Sequence, residues 1–276
     1  MFLSHELRMN PFILLSLCAW FGCQGATQAP PVATPATTAS EVDKILDAME
    51  IQGATMKDYT ASATMEKFEA LTDEREVRRG RVVVRGPSGA DRQIGIAFDE
   101  FIDSDGRGST DSRRFVFDRG WLWELDPARK QAIRRQLARE GEPFDPLRVG
   151  EGPFPVPLGQ PKRDVLREFT VAMTIVPDAP FFRSLTTAKD STTTLTSLRL
   201  VPRAGTAMAR DTAAMTIILE GASFMPRGVE VEAINGNRTR VLLRDGRLNL
   251  GLDETALALL APPSTEGWKI DNRPLN

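Results

Sequence analysis

Phe115-Val116-Phe117-Asp118-Arg119-Gly120-Trp121-Leu122-Trp123-Glu124-Leu125-Asp126-Pro127 reads as a β-hairpin. Phe115 and Phe117 alternate with smaller or polar neighbours, Asp118-Arg119-Gly120 supplies the turn, and Asp126-Pro127 ends the returning strand. Phe115, Phe117, Trp121 and Trp123 fall on facing strands and are expected to present one broad apolar surface, as plain core or as the lining of a ligand site.

The same period of two runs outward from the hairpin in both directions. Tyr59, Ala61, Ala63 and Met65 alternate with Thr60, Ser62 and Thr64, and Ile94, Ile96 and Phe98 share one face. Downstream come Ile133/Leu137, Phe169/Val171/Met173/Ile175, Leu198/Leu200, Met215/Ile217/Leu219, Val229/Val231/Ala233, Val241/Leu243 and Leu248/Leu250. Asn235-Gly236-Asn237 and Asp245-Gly246 read as hairpin turns between such runs. Sequential strands joined by tight turns make an antiparallel meander with one apolar face. With about ten or eleven strands the sheet should curl into an incomplete barrel rather than stay flat.

Helical spacing is confined to a few places. Val42, Ile45, Leu46 and Met49 form one apolar stripe, with Ser40 as a cap and Gly53 as a stop. Short helices are expected near Pro161–Glu168 and from Asp253 through Leu260. The fold class is therefore mainly β (α+β): an antiparallel half-barrel with an N-terminal helix and short helices covering its concave face. Pro/Gly-rich and Thr-rich loops interrupt it at Phe144–Leu158 and Asp190–Thr196.

The first 25 residues read as a secretory signal. Arg8 precedes the apolar run Pro11–Phe21, too short to span a bilayer, and small residues follow at Gly22, Cys23, Gly25 and Ala26. Either Cys23 becomes a lipidated N-terminus, or the leader is cut near Gly25 or Ala26; Met9 is an alternative start. Residues 26–40, rich in Pro, Thr and Ala, read as a disordered tether. The folded domain is expected over residues 41–276, one unit of about 235 residues, enough for a single core.

Composition restricts the chemistry. The one histidine, His5, and both cysteines, Cys18 and Cys23, lie in the leader. Residues 41–276 therefore lack the groups for Ser-His-Asp or Cys-His catalysis, His or Cys zinc ligation, and disulfides. A carboxylate pair is the main remaining route to hydrolysis, drawn from Glu66, Glu69, Glu124, Glu230 and Glu232. Glu230 and Glu232 alternate with Val229 and Val231, the pattern of a wet strand face. The acidic run Asp99, Glu100, Asp103, Asp105 and Asp111 has Gly106 fourth after Asp103, where a calcium loop needs it sixth. Net charge is −2, with 35 basic and 37 acidic residues and no basic stripe, so nucleic acid is not an expected partner. No cofactor and no metal is implied.

Read together, these segments resemble the LolA-like outer-membrane lipoprotein carriers. The helix Val42–Met49 runs into the strand Tyr59–Lys67, and Gly80-Arg81-Val82-Val83-Val84-Arg85 is similar to the family's glycine, apolar strand and arginine segment. The hairpin Phe115–Pro127 is the most specific match. Pro153-Phe154 resembles a family loop, and Pro262–Asp271 resembles its ending. The chain is longer than usual for the family at Glu140–Lys162 and Asp190–Ala214.

The resemblance implies a periplasmic carrier that shields lipoprotein acyl chains and has no catalytic residue. Its lining would be Met65, Ile94, Ile96, Phe98, Phe115, Phe117, Trp121, Trp123, Met215 and Ile217. It further implies exchange with an inner-membrane releasing complex and an outer-membrane acceptor, and a monomeric state. An arginine that hydrogen-bonds the covering helices would be Arg85, with Arg92 as the alternative. Two other readings stand beside it: a membrane-anchored lipoprotein acceptor or sensor of the same fold, and a carboxylate hydrolase.

Overall fold

The computed structural model describes residues 36–89, 91–142, 144–147, 158–186, 194–221, 223–262 and 264–275. The leader, Cys23 and Pro153-Phe154 lie outside them. The first helix, α1 (Ala36–Thr55), begins four residues before Ser40, which therefore sits inside it and does not cap it. Val42, Ile45, Leu46 and Met49 are all buried, as one stripe facing the sheet requires.

The chain then makes two meanders. The first comprises β1 (Asp58–Glu69), β2 (Glu74–Arg85), β3 (Gln93–Ile102), β4 (Gly108–Thr110), β5 (Arg114–Asp118), β6 (Trp121–Asp126) and β7 (Gln131–Gln136). Helix α2 (Lys162–Glu168) leads into the second, made of β8 (Phe169–Thr174), β9 (Leu195–Pro202), β10 (Thr212–Glu220), β11 (Pro226–Ala233) and β12 (Arg238–Leu248). A 3-10 turn at Pro180–Phe182 and the one-turn helix α3 (Arg183–Thr186) separate β8 from β9. Helix α4 (Glu254–Leu259) and β13 (Lys269–Arg273) close the chain.

Among the described residues the strands form one 13-stranded sheet in the order β13-β7-β6-β5-β3-β2-β1-β12-β11-β10-β9-β8, with β4 against β3. Its two ends do not meet, so it is an open half-barrel. The pairing is antiparallel throughout except for β13, which lies parallel to β7. Two of the thirteen, β4 and β13, carry no apolar alternation and were not legible as strands; all five residues of β13 are exposed.

Two turns expected from the sequence differ in outcome. Asn235-Gly236-Asn237 joins β11 to β12, the amide of Ala233 donating to the Asn237 carbonyl (2.8 Å). Asp245-Gly246 is no turn: it lies inside β12 as a bulge, where the register slips between Thr60↔Arg247 and Ser62↔Arg244. Asp245 takes the left-handed conformation (φ 54°) that such a bulge needs. The buried ring of Tyr59 packs over Gly246, where a Cβ would stand 3.0 Å from its hydroxyl.

Helices cover both faces of the sheet, not the concave one alone. Helices α1 and α2 pack through Val42, Ile45, Met49 and Val165 on Leu198, Leu200, Ile217 and Val229. Helix α4 lies on the opposite face, its Ala256 and Leu259 against Val83 and Ala97. Phe182 packs on that opposite face too, against Ile218 and Leu242. The parity of each strand decides this: Val82, Val84, Ile94 and Ile96 look inward, so Val83, Gly95 and Ala97 look outward.

Helix α4 is fixed at both ends. The Asp253 carboxylate accepts from the Ala256 amide (2.7 Å) at its start, as its sequence position predicts. At its end the Arg114 guanidinium donates to the carbonyls of Ala258 (2.7 Å) and Ala261 (3.4 Å). Between them β3 approaches so closely that a Cβ on Gly95 would lie 2.1 Å from the Leu259 carbonyl oxygen. Gly95→Ala is therefore expected to cost about 1–3 kcal/mol by forcing α4 off the sheet. A lowered urea midpoint with unchanged slope checks this, and an unchanged midpoint would refute the close approach.

Candidate functional site: the inner face of the half-barrel

The register assembles the inner face row by row. Tyr59, Val84, Ile94, Phe117, Leu122 and Arg135 are successive partners from β1 to β7. Beside them run Ala61, Val82, Ile96, Phe115, Glu124 and Ile133. On the other side of β1 the row is Met65, Val241, Val229, Ile217 and Leu198. Cross-strand neighbours in register point to one side, so these residues form one surface curving through the sheet, apolar except where Glu124 and Arg135 pair at its β6–β7 end.

Eight of the ten lining residues named from the sequence stand on this face: Met65, Ile94, Ile96, Phe98, Phe115, Phe117, Met215 and Ile217. All are buried except Phe115, which is half-buried. Trp121 and Trp123 are not among them. The two-residue turn Arg119-Gly120, both at positive φ, pairs Asp118 with Trp121 and so Phe117 with Leu122. Odd-numbered residues of β5 therefore share a face with even-numbered residues of β6, and both indoles point outward. There the Arg134 guanidinium lies 3.8 Å from the Trp121 ring centre and 5.1 Å from that of Trp123. Leu122 and Glu124 take the inward places the tryptophans were expected to fill.

Two separate pieces of chain cover the inner face. Helix α1 and Val165 of α2 lie over β8–β11. Over β1–β6 lie Met56, Leu147 and Leu158, and the Phe144 ring stands 5.4 Å from that of Phe117. The two covers touch at Gly53 and Gly159, whose backbones approach so closely that a Cβ on either would clash with the other.

The second cover is held by Arg92, which is 0% exposed. Its guanidinium donates to the Leu158 carbonyl (3.0 Å), the Asp145 carboxylate (3.1 Å), the Ser88 hydroxyl (2.7 Å) and the Pro87 carbonyl (3.2 Å). Ser88 in turn donates to the Gly159 carbonyl (2.6 Å), and Asp145 also accepts from the Gly89 amide (3.0 Å). Burial pushes the Asp145 carboxyl above the usual carboxylate range; Arg92 and the Leu147 and Gly89 amides offset this only in part. Burial likewise lowers the Arg92 guanidinium, against the opposing pull of Asp145.

Arg85, the first choice for such a latch, does not perform it. It alternates with inward Val84, so it points outward, is exposed, and donates to Gln93 on the neighbouring strand (Nε to Oε1, 2.9 Å). Arg92 was legible only as the alternative, and Asp145 not at all, because its role depends on a loop folding back across the sheet.

A cleft of about 280 Å³ lies at the β5–β7 margin, lined by Phe115, Glu124 and Ile133 of the inner face together with Leu125 and Ala132 of the outer face and Arg113, Asp126 and Gln131. The carboxylates weighed for hydrolysis are each engaged. Arg240 lies between Glu66 (2.6 Å) and Glu230 (2.5 Å), all three buried on the outer face. Glu124 pairs with Arg135 (3.1 Å), Glu232 with Arg199 (2.9 Å), and Glu69 accepts from Asn237. In the acidic run, Asp103 accepts from the Asp105 and Arg107 amides (3.0 and 2.8 Å), and Asp111 pairs with Arg78 (3.1 Å). No helix among the described residues is long and apolar enough to cross a membrane.

No family model and no curated protein sequence matches the chain. Solved structures do. An uncharacterized conserved protein from Thermus thermophilus is similar at 13% identity over 84% of this chain and 99% of that one, with a TM-score of 0.45. A putative outer membrane lipoprotein-sorting protein domain from Vibrio parahaemolyticus is similar at 15% identity over 77% and 94%, TM-score 0.37. A LolA superfamily protein from Nitrosomonas europaea follows at 11% identity over 77% and 95%, TM-score 0.34. At these identities the likeness concerns the fold and goes no further.

Removing the latch should be costly where removing its exposed neighbour is not. Arg92→Met leaves Asp145 buried without its partner and is expected to lose about 3–5 kcal/mol. Arg85→Gln should stay within about 0.5 kcal/mol of the parent, as exposed substitutions do. Denaturant titration of both variants measures the contrast, and equal losses would show that Arg92 is not the latch.

Proposed function

We propose that this protein binds acyl chains on the inner face of its half-barrel and carries lipoproteins or related lipids between membranes in the periplasm. The observation that carries the reading is the construction of the cover over β1–β6. The sheet beneath is apolar from β1 to β5, yet Leu147 and Leu158 are held on it by one arginine cluster and not by strand pairing. A cover fixed at one polar point can lift as a unit when a ligand replaces its apolar contacts.

The energetics favour such a ligand. Each methylene removed from water contributes roughly 0.8 kcal/mol, so an acyl chain of ordinary length is worth on the order of 10 kcal/mol. Exchanging Leu147, Leu158 and Phe144 for an acyl chain keeps the inner face dry in both states. The cleft at Phe115 and Ile133, at the end of the strands away from Arg92, gives the chain a place to enter. No step of this function calls for catalysis, and the engaged carboxylates leave no free acid–base pair among those considered. The membrane-anchored acceptor remains the second form of the same reading, separated from a free carrier by the fate of Cys23. The intact mass of the mature protein decides it: a diacylated Cys23 would exclude the diffusing form.

Protein isolated from its native compartment is expected to release acyl lipids on organic extraction and to bind a fluorescent fatty-acid analogue saturably. Phe115→Glu and Ile133→Glu, at the half-buried mouth, should each weaken the analogue by about tenfold, equivalent to roughly 1.4 kcal/mol. A clean extract together with no binding of the analogue would overturn the proposal.

A further inference from the structure

A second cleft, of about 350 Å³, lies on the outer face between β1, the β12 bulge and α4. The sheet separates it from the proposed acyl site, since Thr60 and Ser62 on its floor alternate with inward Tyr59, Ala61 and Ala63. Arg81 stands opposite Ser62 on β2, and Arg247 stands opposite Thr60 on β12. Two strand spacings and a two-residue offset along β1 separate these arginines, roughly 12 Å between backbones. That span lets two long guanidinium side chains close on one small group above the hydroxyls. Neither Arg81 nor Arg247 has an ion-pair or hydrogen-bonding side-chain partner among the described residues. They differ in this from Arg78, Arg79, Arg92, Arg135, Arg199 and Arg240, each of which has a carboxylate.

The walls are fixed before any ligand arrives. The bulge is set by Asp245 and by Tyr59 packing over Gly246, and the following loop is tied by the Gly251 amide donating to Asp58 (3.1 Å). Helix α4 forms the far side and is held at both ends by Asp253 and Arg114. Of the two carboxylates at the cleft, Asp253 is already engaged in that helix cap, which leaves Asp245 as the free negative group.

We infer that this cleft binds a phosphate group, with Arg81 and Arg247 as its charged donors and Thr60 and Ser62 as neutral ones. Paired guanidinium forks match the oxygens of a phosphate, and hydroxyls beneath complete the donor set. Asp245 opposes the anion and sets its affinity. The phosphate can be free or can belong to an anionic lipid headgroup presented while the inner face handles acyl chains.

Calorimetric titration of the full chain with inorganic phosphate at low ionic strength tests this, beside flotation with phosphatidylglycerol and phosphatidylcholine vesicles. Saturable phosphate binding is expected, weakened about tenfold by Arg81→Gln and by Arg247→Gln and strengthened by Asp245→Asn. Binding of phosphate without flotation identifies the free ion. Flotation only with phosphatidylglycerol, lost in both arginine variants and competed by phosphate, identifies the headgroup. Thermal unfolding should be unchanged in all three variants, since each side chain is exposed. Wild-type protein that binds neither phosphate nor phosphatidylglycerol, or arginine variants that bind as the wild type does, would overturn the inference. The fatty-acid analogue should bind all three variants normally, so failure here leaves the acyl-binding proposal intact.

Discussion

The pairing of β1 with β12 holds the molecule together. Within each meander, β4 apart, the strands pair with their neighbours in chain order. Among the strands only the β1–β12 ladder joins them, matching Tyr59 to Leu248 and Phe68 to Arg238 across most of the chain. Closing so long a loop costs entropy before any contact repays it. Its two faces are fastened differently. Inside, Met65 meets Val241 and Ala63 meets Leu243; outside, Arg240 bridges Glu66 and Glu230. A buried ion triad adds little net stability against apolar packing, but it penalises other registers heavily because a slip would strand a buried charge. The seam is thus specified by charge on one side and volume on the other.

The inner face follows from that seam. Once β1 and β12 are in register, the apolar residues of both meanders become one surface, too large for its helices to close by sheet pairing. The chain covers it twice, with the amphipathic α1 on one half and a loop held by Arg92 on the other. These covers have different physics. Helix α1 buries a continuous stripe, whereas the loop relies on a polar cluster whose arginine is fully buried. In the proposed function the second half is the part that opens, which puts the proposed acyl site over β1–β6.

Parity governs the rest. The tight turn at Arg119-Gly120 sends Trp121 and Trp123 outward, and the same alternation places Val83, Gly95 and Ala97 under α4. A turn one residue longer would exchange the tryptophans for Leu122 and Glu124. The bulge at Asp245-Gly246 is the one place where β12 leaves strict alternation, and it shapes the cleft that Arg81 and Arg247 flank.

Local physics made much of this legible in the sequence. The period of two gave the strands and their inward residues, Val42 through Met49 gave the first helix, and Asp253 gave the cap of the last, because each depends on neighbours a few positions away. What lay beyond reach depends on partners far along the chain. Which face the indoles take is decided by the count of residues in a turn. Whether Asp-Gly turns or bulges is decided by the Tyr59 ring from another strand. That Arg92 and not Arg85 holds the cover is decided by Asp145 and Leu158, brought to it by a loop returning over the sheet. Sequence alone determined an antiparallel sheet with one apolar face and no histidine or cysteine in its strands; tertiary structure alone decided what covers that face and what holds the cover in place, because burial and ion pairing are settled by contacts between distant residues.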